Sequence, residues 1–371
     1  MSWLTDLAEV YNNCEGEIGV IHGDEPVLLP IAHSTANAQI EIVIDENGNF
    51  RRANTIEKTD MVTVIPVTEA SCSRGNNNAP HPLCDKLEYI AGDFCTFFTY
   101  PLYCNKKKNK SQKRIDRDFN EFKEKYNKYV EQLSNWVHSP FACKQIEAIY
   151  NYVLKCNIMK DLISSSILKV DESGILTDYK INNYCQEAWL VRFSVEIAGE
   201  LVPEVYKNKN VYDCYINYYL SLQEGKSLCY ASGEMVVCSK KHPSKIVPGD
   251  NGAKLISSND TSGYTFRGKF YTSDQVACIG YDISQKAHNA LKWLVSKQGF
   301  NCDKQWYIIF ENHAKKIISI NEGTFDMLFK GHTDEPEYFN SVDIAYTGSE
   351  YAAVVKKYIF NSSKEISSNS N

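Results

Sequence analysis

The residues best suited to chemistry fall in three segments. Residues 71–82, SCSRGNNNAPHP, place Ser73, Arg74 and Gly75 before three consecutive asparagines, Asn76, Asn77 and Asn78. Asparagine amides pair bidentately with base edges, arginine reads guanine or phosphate, and glycine lets the backbone approach a ligand closely. A surface turn uses the same residue types for its own hydrogen bonds, so composition leaves both readings open. Residues 254–271, KLISSNDTSGYTFRGKFY, alternate like a strand from Tyr264 to Phe270. Tyr264, Phe266 and Phe270 then share one face, while Thr265, Arg267, Lys269 and Tyr271 share the other. With Lys254 and Asn259 nearby, that second face suits phosphate contacts, although a half-buried strand with a charged outer face has the same pattern. The third segment, residues 105–114 (NKKKNKSQKR), holds six basic residues and no acid, among them Lys106, Lys107 and Lys108. A solvated surface is its plain alternative.

Common catalytic signatures are missing: there is no G-x-x-x-x-G-K-[ST], G-x-S-x-G, H-E-x-x-H or G-x-G-x-x-G. Cys229, Cys238 and His242 are the best metal candidates. Their C-x8-C-x3-H spacing departs from the short zinc knuckle and lacks a fourth ligand, so the expectation is no metal and no cofactor. A magnesium-dependent nuclease using Asp250 and Asp260 is the enzymatic alternative. A pure assembly subunit that never touches DNA is the other.

Charge is segregated. The formal net charge is −6, which by itself argues against a nucleic-acid partner. Residues 239–271 nevertheless carry six cations against two carboxylates, and residues 319–350 carry seven carboxylates against one lysine. That distribution suits one face turned to phosphates and another to solvent or a protein partner. No stretch approaches the roughly 20 apolar residues of a membrane helix, and the N-terminus lacks a basic leader. Thirteen cysteines without regular spacing fit reduced thiols and a cytoplasmic protein. The 24 tyrosines hint at half-buried or interface surface.

The elements that must position these segments are mixed. Residues 39–45 (QIEIVID) alternate, and 46–49 (ENGN) supply an Asn-Gly hairpin turn. Residues 61–68 (MVTVIPVT) read as an edge strand because Pro66 cannot donate a ladder bond. From Ile115 the period changes: Phe119, Phe122, Tyr126, Val130, Leu133 and Trp136 predict a long amphipathic helix ending before Ser139-Pro140. Ile146, Ile149, Tyr150 and Val153 predict a second, and residues 158–226 are ambiguous. A helix capped by Ser284 should turn Ala287, Ala290, Leu291 and Leu294 inward and end at Gly299, before a buried strand at 305–310. The expected fold class is mixed α/β (α+β). A β-rich part spans residues 1–104, a helical insertion 105–226, and an α/β part 227–371.

Three blocks carry a family resemblance: residues 73–93 (SRGNNNAPHPLCDKLEYIAGD), 241–270 (KHPSKIVPGDNGAKLISSNDTSGYTFRGKF) and 284–299 (SQKAHNALKWLVSKQG). Together with the QIEIVIDENGNF hairpin, they resemble the large subunit of type I-C CRISPR surveillance complexes. Members of that family are commonly longer, so the chain is expected to be an N-terminal part without the C-terminal helical bundle. The resemblance implies a non-catalytic subunit that joins a backbone subunit, a crRNA-processing subunit and guide RNA. It inspects the protospacer-adjacent motif (PAM) of double-stranded DNA, helps open the duplex, holds the displaced strand and recruits a helicase-nuclease. On this reading Ser73, Arg74, Gly75, Asn76, Asn77 and Asn78 inspect the PAM, and Lys254, Asn259, Arg267 and Lys269 track phosphates. Gln285 and Lys286 reach DNA from the start of their helix, and Lys106, Lys107 and Lys108 hold the displaced strand.

Overall fold

The computed structural model describes residues 3–23, 25–72, 74, 78–107, 111–250, 252–257, 276–302, 305–308 and 310. The chain divides into two compact units, one of residues 19–224 and one of residues 1–18 with 225–371. Helix α1 (Trp3–Asn13) belongs to the second. Helices and small sheets alternate through both units, so the expected mixed α/β class is the observed one.

In the 19–224 unit, β1 (His33–Asn37) pairs antiparallel with β4 (Val62–Pro66), which stops at Pro66 as a strand without that N–H must. β2 (Ile40–Asp45) is the middle of a three-stranded sheet, antiparallel to β3 (Phe50–Thr55) and parallel to β7 (Val191–Glu196). The two-residue strands β5 (Lys180–Ile181) and β6 (Tyr184–Cys185) form a separate small hairpin. The alternation of QIEIVID suggested one buried face, but Val43 is buried along with Ile40, Ile42 and Ile44. A central strand is covered on both sides. The β2–β3 turn forms where the Asn-Gly pair predicts it. Asp45 accepts from Asn47 N (3.0 Å), Asn49 N (2.8 Å) and Asn49 Nδ2 (3.0 Å).

Helices α2 (Tyr100–Lys106), α3 (Gln112–Val137), α4 (Lys144–Leu154), α5 (Ile158–Ser164) and α6 (Lys209–Ser221) are the longer helices of this unit, beside single turns at Glu69–Cys72, Leu87–Ile90 and Phe94–Phe97. α3 buries Ile115, Phe122, Tyr129, Leu133 and Trp136, one stripe of a helical period. It ends where Pro140 disfavours helix at the residue before it. The tyrosines divide: Tyr179, Tyr184 and Tyr230 are exposed, whereas Tyr129, Tyr152 and Tyr215 fill the core. Tyr129 donates to Leu83 O (2.7 Å), Tyr152 to Asp161 Oδ2 (3.0 Å) and Tyr215 to Val67 O (2.9 Å). Each ring is buried and each hydroxyl is satisfied inside.

In the other unit, α1 packs on α7 (Tyr281–Gln298), beside hairpins β8 (Lys226–Leu228) with β9 (Met235–Val237) and β10 (Phe300–Cys302) with β11 (Gln305–Tyr307). Ala287, Ala290, Leu291 and Leu294 face inward as expected. Ser284 is not the cap: α7 starts three residues earlier, after Gly280, and the Ser284 hydroxyl is buried and bonded to His242 Nδ1 (2.7 Å). The expected buried strand at 305–310 is instead a short hairpin arm, with Gln305 exposed and Trp306 and Tyr307 half-buried. The thiols are not all free either, because Cys238 and Cys278 pair as a disulfide with Cα atoms 5.8 Å apart. The strand expected at residues 264–270 lies outside the described residues.

Candidate nucleic-acid interface

Arg74 is a clamp. Its Nη1 and Nη2 donate to Asp85 Oδ1 (2.9 Å) and Oδ2 (3.0 Å), and its guanidinium lies 4.5 Å from the Tyr89 ring centre. The Arg74 side chain is 17% exposed and that of Asp85 0%. Asp85 also accepts from the backbone N–H groups of His81 and Lys86, both at 2.7 Å, so each of its oxygens has two donors. Burial opposes the charge on Arg74, yet the Asp85 carboxylate beside it raises the pKa above its ordinary value. A bidentate, desolvated pair of this kind fixes geometry tightly. Burial, then the nearby charges of Arg74 and Lys86, hold His81 down to a pKa of about 3, so its ring is neutral.

Four residues further on, Asn78 Nδ2 donates to Glu121 Oε2 (2.6 Å) on α3. Asn78 takes a positive φ of 46°, a backbone region that asparagine tolerates better than most residues. Arg74 and Asn78 therefore anchor both sides of residues 75–77. Ser73, Gly75, Asn76 and Asn77 lie outside the described residues.

Asn78 also lines a groove of about 760 Å³ formed by α2, α3 and the segment near Glu187. Its floor is a cluster of buried rings, Phe94, Phe98, Tyr103 and Phe122, with successive centres 5.2 to 6.0 Å apart. Lys106 and Lys125 sit low in the groove. Lys106 pairs with Glu187 (2.7 Å) and Asp178 (2.8 Å), and Lys125 with Glu88 (2.8 Å); their side chains are 16% and 11% exposed. Burial pulls the Lys106 pKa down, but hydrogen bonds to Asp178 and Glu187 more than offset it. Arg114 and Arg117 form the upper tier, 60% and 67% exposed, with carboxylates at longer range: Arg114–Asp118 3.9 Å, Arg117–Asp118 3.2 Å and Arg117–Glu121 3.6 Å. Lys107 is exposed at the same groove, and Lys108 lies outside the described residues.

The remaining expected residues belong to the other unit. Lys254 is exposed and bridges Ser244 through the backbone. Gln285 is half-buried, and Lys286 pairs with Asp282 one turn earlier in α7 (2.9 Å). Asn259, Arg267 and Lys269 lie outside the described residues. Cys229, Cys238 and His242 have separate partners. Cys229 Sγ accepts from Gly280 N (3.1 Å), Cys238 is bonded to Cys278, and His242 is held by Ser284. Among the described residues no three His, Cys, Asp or Glu side chains gather as metal ligands. Asp250 accepts from Gly252 N (2.8 Å) within its own turn, and Asp260 lies outside the described residues.

A sequence reading centred on the 105–114 run passed over Arg117, Glu121 and Lys125. The signal was available: positions 114, 118, 121 and 125 recur at steps of four, three and four, so one face of α3 carries this whole charge pattern.

With this geometry in view, comparison with protein families is decisive. The model for CRISPR-associated protein (Cas_Csd1) matches residues 7–366. The chain belongs to the Csd1 family. Csd1 proteins are large subunits of type I-C CRISPR surveillance complexes, so this chain is a Cascade large subunit. No curated protein matches the chain. Among the described residues of this Csd1 chain, no helix is long and apolar enough to cross a membrane.

Proposed function

We infer that the chain is the DNA-inspecting subunit of a crRNA-guided type I-C complex and carries no catalytic centre. In effectors of this general kind, guide pairing reads the target sequence and protein side chains read only the short flanking motif; the rule is drawn from a different effector class and is applied here by analogy. The observation that carries the reading is the double anchoring of the Asn-rich segment, by the Arg74–Asp85 clamp on one side and Asn78–Glu121 on the other. Flanking residues held in place shorten the stretch of chain that a ligand has to order, and base readout gains from that.

Within this reading, Gly75, Asn76 and Asn77 inspect base edges with Ser73. Arg74 supports them through Asp85 rather than reading bases itself. Lys254, Asn259, Arg267 and Lys269 hold phosphates, with Gln285 and Lys286 beside them. Lys106, Lys107 and Lys108 face the displaced strand, with Lys107 the most accessible of the two described. The subunit helps open the duplex and offers a surface to the helicase-nuclease, alongside the backbone and crRNA-processing subunits. The test is Asn76→Ala with Asn77→Ala in the reconstituted complex, measured on duplexes with and without the PAM. Discrimination between the two duplexes should fall.

A further inference from the structure

The groove along α3 is built in two tiers of cations that are held differently. Lys106 and Lys125 are locked by carboxylates at 2.7–2.8 Å over the aromatic floor. Arg114 and Arg117 reach solvent, and their nearest carboxylates stand at 3.2 to 3.9 Å. Exposed pairs at such separations gain little from each other, because water screens them and both long side chains must be ordered.

The placement of these arginines is itself informative. They occupy the first two turns of a 26-residue helix that has no acidic residue in its first turn and no side-chain cap from Ser111. Arg114, in the first turn, opposes the helix dipole beside amide groups that favour an anion, while Arg117 lies one turn further on, between Asp116 and Asp118. For Arg114 that position is disfavoured in the free helix and favoured once a phosphate arrives. Glu121 meanwhile has two roles, facing Arg117 and accepting from Asn78.

We propose that this groove is a phosphodiester-binding site for target DNA whose place is kept, in the free subunit, by the subunit's own Asp118 and Glu121. A phosphate takes Arg114 and Arg117, with Lys107 at the rim. Glu121 loses its arginine and keeps the Asn78 amide on its other oxygen, so Asn78 stays anchored while the groove takes the backbone. The groove cations and the anchor of the Asn-rich segment thus share one carboxylate, Glu121. Because carboxylates rather than salt ions neutralise these arginines beforehand, binding there releases fewer counterions than the arginine count suggests. This deepens the DNA-inspecting reading above and rests on it.

The test is a mutant cycle in the complex reconstituted with guide RNA and its partner subunits, binding PAM-bearing duplex across a salt series. Glu121→Gln should tighten binding several-fold. Arg114→Ala with Arg117→Ala should weaken it about tenfold, with a salt slope shallower by clearly less than two units. In that double-alanine background Glu121→Gln should have no effect. Lys107→Ala, at an exposed rim position, should weaken binding by itself, which guards against misfolding of the helix variants. An unchanged affinity for Glu121→Gln, or an equal gain with and without the arginines, overturns the proposal. If the wild-type complex distinguishes PAM-bearing from PAM-less duplex but this cycle is additive, only the groove assignment fails. If the wild-type complex makes no distinction, the DNA-inspecting reading fails with it.

Discussion

At the scale of single residues, Arg74 separates what side-chain type suggests from what its surroundings allow. Beside a run of asparagines it reads as a base-contacting arginine. Asp85, eleven positions later, takes both arms of its guanidinium. Nothing in local composition could pair the two, because the partner becomes a neighbour only after the chain folds back. Removing one member of a buried pair leaves the other charged and desolvated, at a cost of about 3–5 kcal/mol. Asp85→Ala should therefore lower the unfolding free energy of the purified chain, read by chemical denaturation, by about that much. A loss below about 1 kcal/mol would show that the clamp is incidental. The tyrosines teach a similar lesson: their number hinted at half-buried or interface surface, which fits Tyr179, Tyr184 and Tyr230, while Tyr129, Tyr152 and Tyr215 satisfy their hydroxyls within the core.

At the scale of elements, the legible parts were those with strong period or strict turn chemistry. The β2–β3 hairpin and the long helix α3 both follow from their own sequence. The hairpin turn also has a tertiary reason for its glycine. Gly48 has φ +73°, and a Cβ there would lie 2.5 Å from Ala148 O and 2.8 Å from Tyr152 N of α4. Lys155 Nζ further ties the turn down through Gly48 O (2.6 Å). Gly48→Ala should then cost more than about 1 kcal/mol in chemical denaturation, since both conformation and packing oppose it. An unchanged midpoint would mean that the turn moves off α4 freely. The start of α7 was misplaced because Ser284 has a capping residue's chemistry, but Tyr281–Ile283 already continue the helix and His242 claims the hydroxyl. The groove on α3 was half visible. The basic run before it was plain, whereas the compensating carboxylates on the helix face required counting at helical steps.

At the scale of the whole molecule, buried neutral histidines set the acid limit. His33 is buried, and its pKa is lowered to about 4, chiefly by that burial. His242 is lowered to about 4 by burial and by His288, and His81 to about 3. A folded pKa below the unfolded value near 6.5 means the unfolded chain binds more protons as pH falls. The contribution of each group is full above about pH 6.5 and is lost as pH falls through its folded value. For His33, the most enclosed of these three, it is on the order of 3 kcal/mol. Thermal stability should decline steadily from pH 6.5 to pH 4, and a flat profile over that window would contradict the enclosed, neutral state of these rings. Family membership was also legible in three sequence blocks. The mixed α/β class was read from an expected β-α-β run around α7, of which the helix is observed, residues 305–307 form a hairpin arm and the first strand lies outside the described residues. The holding of Arg74 and Asn78 was not legible, because it depends on Asp85 and Glu121, which meet them only in the folded chain.

The central claim is that a segment anchored by Arg74 and Asn78 reads the flank of the target. The most direct measurement is the ratio of affinities of the reconstituted complex for PAM-bearing and PAM-less duplex, with and without Asn76→Ala and Asn77→Ala. Each lost bidentate base contact is worth about 1–3 kcal/mol of discrimination. The ratio should therefore collapse by at least tenfold, while the affinity for PAM-less duplex stays nearly constant. Equal losses on both duplexes, or a ratio that does not move, would contradict the account.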